Sequence, residues 1–157
     1  MFRVIVTISL AFFLTSCGIP ELPYDENANA NEAIKSALLE AKDMGKFVLL
    51  EFGANWCGDC ISLNQKMKKP PLKDFIDANF VVVKVDIGEG EKNQALTAKY
   101  GAATNKGIPT VVVVDQHDSV VAGTTSGQLA SARNMGEQAL VDLYSGLLAQ
   151  ARGLGAR

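Results

Sequence analysis

A short apolar run, Phe47-Val-Leu-Leu-Glu-Phe52, carries a single charge and constrains this chain more than any other feature. Runs of this kind belong to strands buried on both faces, so a layer must cover the sheet on each side. Phe80-Val-Val-Val-Lys-Val-Asp-Ile87 predicts a second strong strand, and Pro109-Thr-Val-Val-Val-Val114 a third. Asp115-Gln-His-Asp118 reads as a turn leading into a fourth, Ser119 to Gly123, with His117 a solvated turn residue.

Helices fill the intervals. Asn29-Ala30-Asn31-Glu32 has the form of a capping box, and Ala33, Ile34, Ala37, Leu38 and Ala41 follow at helical spacing until Gly45 stops the helix. Trp56-Cys57-Gly58-Asp59-Cys60 begins a second helix, which Pro70-Pro71 ends. Leu72 to Ala78 predicts a further turn or two, and Asn93 to Tyr100 a short helix. The last helix takes Asn134 as its N-cap, with Glu137 three residues on, and buries Leu140, Val141, Tyr144, Leu147 and Leu148. The order α-β-α-β-α-β-β-α predicts an α/β fold, a central mixed sheet with helices on both faces.

The 157 residues suffice for one domain with a real core, and 48% hydrophobic against 20% charged residues excludes a disordered tail. Net charge is −2, and no basic block is longer than the pair Lys68-Lys69. Nucleic-acid binding therefore lacks its electrostatic footprint.

The N-terminus has the form of a secretory signal: Met1-Phe2-Arg3 places a positive charge before an apolar run, Val4 to Leu14, too short to span a bilayer comfortably. Leu14-Thr15-Ser16-Cys17 resembles the lipobox of bacterial lipoproteins. That resemblance implies a signal peptide over residues 1–16 and a lipidated Cys17, whose acyl chains would anchor the protein to a bilayer. Gly18 follows where an inner-membrane retention signal would have aspartate, so the outer membrane is the default. Residues 17–28 read as the lipidated cysteine and a tether reaching about 30–40 Å from the lipid, and residues 29–157 as the domain.

Cys57 and Cys60, three apart at a helix start, share one face about one turn apart, close enough for a reversible disulfide. The helix N-terminus favours a thiolate at Cys57, the candidate nucleophile, while Cys60 lies deeper as the resolving thiol. Two other readings remain open. One is half of a zinc site, which would need two more ligands where the mature chain offers only His117. The other is a static structural disulfide, although so small a loop stabilises little.

Glu51-Phe-Gly-Ala-Asn-Trp-Cys-Gly-Asp-Cys60 resembles the active-site segment of the thioredoxin family, and Gly107-Ile-Pro-Thr110 resembles its cis-proline loop. The resemblance runs from about Lys46 to Leu148, with a helix standing where the family has its first strand. It implies a thioredoxin-like fold with an extra N-terminal helix. Pro109 would be cis and packed against the dithiol, with the Ile108 backbone pairing with an extended substrate segment. Trp56 would shield the dithiol and offer partners an apolar rim. Glu51, the misplaced charge, stands where the family has a buried acid that moves protons for the second cysteine, and Lys84 matches the lysine beside that acid. Gly58 and Asp59 would tune the redox pair. Asp59 departs from the family's Cys-Gly-Pro-Cys, and its charge would oppose the Cys57 thiolate and bias the pair toward a reductant. Ser126 to Met135, with Arg133 its fixed charge, is expected to pack near the cis-proline loop.

Together these features predict a membrane-tethered periplasmic thiol-disulfide oxidoreductase that reduces disulfides in partner proteins. Its redox group would be the Cys57-Cys60 disulfide, with no cofactor and no metal. Its partners would be protein disulfides, a membrane thiol-transport electron donor and the bilayer reached through Cys17. The alternatives are an oxidant or isomerase using the same residues, or a soft-metal module holding copper.

Overall fold

Four strands form one sheet in the order β2-β1-β3-β4: β1 (Phe47–Gly53), β2 (Phe80–Asp86), β3 (Thr110–Val114) and β4 (Val120–Gly123). The computed structural model describes residues 22–155, so the segment read as a signal peptide, Cys17 and Gly18 lie outside the described residues. β1 pairs parallel with β2 and antiparallel with β3, which pairs antiparallel with β4. The helices are α1 (Ala30–Met44), α2 (Gly58–Met67), α3 (Leu72–Asn79), α4 (Gln94–Lys99) and α5 (Glu137–Gly155). This is the mixed sheet, flanked by helices and preceded by one, that the sequence predicts.

Strand alternation divides the core. Val48, Leu50 and Phe52 of β1 pack with Ala30, Ile34, Ala37 and Ala41 of α1 on one face. Leu49 points the other way, with Leu63 of α2, Leu72 and Ile76 of α3, and Leu140, Tyr144 and Leu148 of α5. Glu51, two residues after Leu49, shares that second face. At the head of α1 the Asn29 side chain accepts the Glu32 N–H at 3.3 Å, and Gly45, at φ 65°, closes the helix in the left-handed conformation glycine favours.

Three differences from the sequence reading bear on the site. α5 begins at Glu137, and Asn134 instead closes a 3-10 turn, Ala132–Asn134. The cause is Lys66 of α2, whose Nζ donates to the carbonyls of Ala132, Arg133 and Met135 and holds the chain against α2 before the helix can start. β3 begins at Thr110, because Pro109 has no N–H to give a ladder. The third difference is at Tyr24, within the segment read as a tether. It is buried, its N–H donates to Asn55 Oδ1 at 3.0 Å, and its carbonyl accepts from Asn55 Nδ2 at 2.9 Å. The folded unit therefore includes Tyr24. Among the described residues no helix is long and apolar enough to cross a membrane.

Candidate active site

β1 ends at Gly53, and four residues later the chain enters α2 with Cys57 as its N-cap. Cys57 Sγ accepts the Cys60 N–H at 3.2 Å, satisfying one of the free amides of the helix start. Its own S–H donates to the Ile108 carbonyl at 3.6 Å. Both thiols are free, Cys60 is fully buried, and Cys57 is nearly so at 6% exposure. Burial, followed by the hydrogen bond to Cys57, pushes the Cys60 thiol well above the ordinary thiol range.

The Ile108–Pro109 bond is cis, the conformation the resemblance implies, and Pro70–Pro71 is cis as well. The loop around Ile108 is held from behind by the segment Ser126 to Met135, as expected. A Cβ on Gly107, at φ 126°, would sit 2.5 Å from Ala130 Cβ, and one on Gly127 would sit 2.4 Å from the Lys106 carbonyl oxygen. Beside this loop Trp56 is 59% exposed, its indole N–H donating to the Gly88 carbonyl at 2.9 Å. It forms one wall of a cleft of about 430 Å³ that Ile87, Thr104, Gly107 and Ile108 also line.

Asp59 is not a lone charge. Its Oδ1 accepts the Arg133 backbone N–H at 2.9 Å, and its Oδ2 accepts Nε at 3.1 Å and Nη2 at 2.7 Å. Arg133, through these hydrogen bonds, holds the Asp59 carboxyl below the usual carboxylate range. The same guanidinium lies across Gly58, where a Cβ would meet its Cζ at 3.5 Å. The charge expected to oppose the Cys57 thiolate is thus matched by a guanidinium at the same helix start.

Glu51 is fully buried, and its register partner on β2 is Lys84. Neighbours in register project to the same side of a sheet, so the lysine reaches the acid, Nζ to Oε2 at 2.7 Å, while 21% of its side chain stays exposed. Glu51 Oε1 accepts the hydroxyl of Tyr24 at 2.7 Å. Tyr24 packs with Cys57, Cys60 and Ile108. Sequence reasoning missed it, because an aromatic in a polar, proline-bearing stretch has no periodicity to betray its burial. Asn55, which fastens it, stands inside the cysteine motif, where nothing local marks it as a partner of a residue 31 positions away.

As for metals, no group of three or more His, Cys, Asp or Glu side chains gathers among the described residues. His117 lies in the β3–β4 turn, its N–H bonded to Asp115 Oδ1.

A sequence profile of the thioredoxin-like family matches residues 29–116. The structure of a disulphide isomerase from Xylella fastidiosa Temecula1 is 40% identical, with a TM-score of 0.77, over 80% of this chain and 96% of that one. Thioredoxin H8 of Arabidopsis thaliana is 40% identical over 53 residues, 34% of this chain and 35% of its own length. The thiol:disulfide interchange protein DsbD of Vibrio cholerae is 31% identical over 98 residues, 62% of this chain and 16% of its own. The chain therefore spans about a third or less of these two curated relatives.

Proposed function

Since this chain belongs to the thioredoxin-like family and is an oxidoreductase of that family, we propose that it reduces disulfides in partner proteins through Cys57 and Cys60. Cys57 Sγ attacks one sulfur of the partner's disulfide, forming a mixed disulfide and releasing the other sulfur as a thiolate. Cys60 Sγ then attacks Cys57 Sγ; the bond to the partner breaks, the pair of electrons leaves with the partner, and Cys57-Cys60 is left oxidised. One observation carries this reading: Cys57 caps α2 with the Cys60 N–H on its sulfur, and that sulfur faces the Ile108 carbonyl beside a cis proline. An extended partner segment pairing with the Ile108 backbone would be delivered to the attacking sulfur. Trp56 and the cleft beside it would receive the flanking side chains.

We place the domain at the bacterial cell envelope, facing the periplasm, anchored through a lipidated Cys17 and in the outer membrane rather than the inner. This rests on the signal and lipobox resemblance of residues 1–17 and on Gly18. An oxidising compartment does not re-reduce Cys57-Cys60, so the reading requires a membrane thiol-transport donor. The likeness to a thiol:disulfide interchange protein supports thiol-disulfide exchange with partner proteins.

The deciding experiment is trapping with Cys60→Ser, which removes the resolving step. Partners should accumulate as mixed disulfides on Cys57 and be absent from Cys57→Ser. Equal recovery from both variants would overturn the assignment. The likeness to a disulphide isomerase favours a second reading, oxidation or isomerisation through the same sulfurs. A reduction potential far above the value of about −270 mV for thioredoxin would select it.

A further inference from the structure

Cys60 must lose a proton as it attacks, yet it is fully buried and its thiol lies well above the ordinary range. A buried thiol in that state becomes a nucleophile only if a base takes its proton during the attack. Glu51 is the base at hand, but both its carboxylate oxygens are engaged, Oε2 by Lys84 and Oε1 by the Tyr24 hydroxyl. The path from sulfur to carboxylate runs through that hydroxyl. Gly53 makes the room for it: a Cβ there would lie 2.2 Å from the Tyr24 oxygen and 2.7 Å from Cys60 Sγ. Hydroxyl and sulfur thus lie side by side above Gly53, each within 3 Å of one point.

We propose that Tyr24, from the segment ahead of α1, is a catalytic residue that relays the Cys60 proton to Glu51 as Cys60 attacks the mixed disulfide on Cys57. The inference rests on the reductase reading and deepens it at the same site. A phenolic oxygen can accept one proton while it donates another. Cys60 Sγ forms its bond to Cys57 Sγ, and the bond from Cys57 to the partner sulfur breaks, its electron pair leaving as the partner's thiolate. The Cys60 proton passes to the Tyr24 oxygen and the Tyr24 proton to Glu51 Oε1. Tyr24 ends as it began, and Glu51 gives up the proton along the partly exposed Lys84 side or to the departing thiolate. Burial and the Glu51 charge hold the phenol far above its ordinary range, so it serves as a neutral conduit rather than as tyrosinate.

The titratable groups around this path are Cys57 from α2, Glu51 from β1, Lys84 from β2 and Tyr144 from α5. Lys84 Nζ also stands 5.7 Å from the centre of the Tyr24 ring. Tyr144 feels the Glu51 charge, but its buried hydroxyl has no hydrogen-bond partner among the described residues, so it offers no second branch.

The test uses an aromatic disulfide that releases one coloured thiol when Cys57 attacks and a second when Cys60 resolves. Tyr24→Phe keeps the ring and removes the oxygen. The first release should be unchanged, and the second should slow by about tenfold or more at neutral pH, with its pH profile moved to the alkaline side. Glu51→Gln should slow the same phase, and the double variant should be no slower than the worse single one. 3-Fluorotyrosine at position 24 alone, a more acidic phenol in the same packing, should shift the second-phase profile. Equal second-phase rates in wild type and Tyr24→Phe at every pH would overturn the relay and leave the reductase reading intact, as would equal slowing of both phases or a fluorotyrosine profile that does not move. Release of neither thiol by the wild-type chain would sink the reductase reading and this inference with it.

Discussion

Asp59, inside the cysteine motif, and Arg133, in the turn ahead of α5, are locked together across 74 residues of sequence by a two-pronged ion pair and a backbone hydrogen bond. Lys66, two turns further along α2, holds the same turn by three of its carbonyls. The segment that backs the cis-proline loop is thus fastened at its C-terminal end to the helix that carries the sulfurs. A substitution here should reach the redox pair through charge as well as through position.

Arg133→Met should make the dithiol more reducing. Removing the guanidinium leaves the Asp59 charge unmatched near Cys57, which destabilises the thiolate and with it the reduced form. Equilibration against glutathione should show a fall on the order of 10–30 mV. An unchanged or higher potential would mean that the pair has no part in tuning.

The same pair sets an acid limb of stability. Arg133 hydrogen bonds lower the Asp59 carboxyl in the folded state, so its contribution is fully present above the unfolded carboxylate value of about 3.9 and is lost as pH falls through the folded value. Urea unfolding should therefore find wild type more stable than Asp59→Asn at pH 7, with the gap narrowing below about pH 4. A gap that stays constant into acid would contradict the pairing.

The strands and the sulfurs were legible in the chain because each carries a local signal. Phe47 to Phe52 and Phe80 to Ile87 are apolar whichever way they face, and Cys57 with Cys60 needs only helical spacing to converge. Glu51 drew notice because a charge in such a strand must be answered, and Lys84 answers it through strand register. Tyr24 and the Asp59–Arg133 pair were not legible, because what buries or pairs them lies tens of residues away. Asn134 misled for the opposite reason: its capping spacing to Glu137 is sound, but Lys66 takes the neighbouring carbonyls and draws the turn out of the helix.

Gly53→Ala tests the packing above β1. The added methyl would fall 2.2 Å from the Tyr24 oxygen and 2.7 Å from Cys60 Sγ, atoms fixed by a strand, a helix and a buried carboxylate. Overpacking of this kind costs about 1–3 kcal/mol, measurable by chemical denaturation. The displaced hydroxyl should also slow resolution by Cys60 more than attack by Cys57. A fully stable variant with normal resolution would show that the crowding is relieved at no cost.

Trp56→Ala separates docking from chemistry. A large apolar side chain 59% exposed contributes little to the fold, and its hydrogen bond to the Gly88 carbonyl lies at the surface. Unfolding free energy should change by less than about 0.5 kcal/mol, as for other surface substitutions. At a partner interface the same side chain is of the type that dominates binding, where truncation removes about 1–2 kcal/mol. kcat/KM for a folded protein disulfide should then fall about tenfold, while a small aromatic disulfide, too short to reach the rim, reacts with Cys57 at the wild-type rate. A loss shared equally by both substrates would assign Trp56 to shielding the sulfurs themselves; no loss for either would remove it from the partner surface.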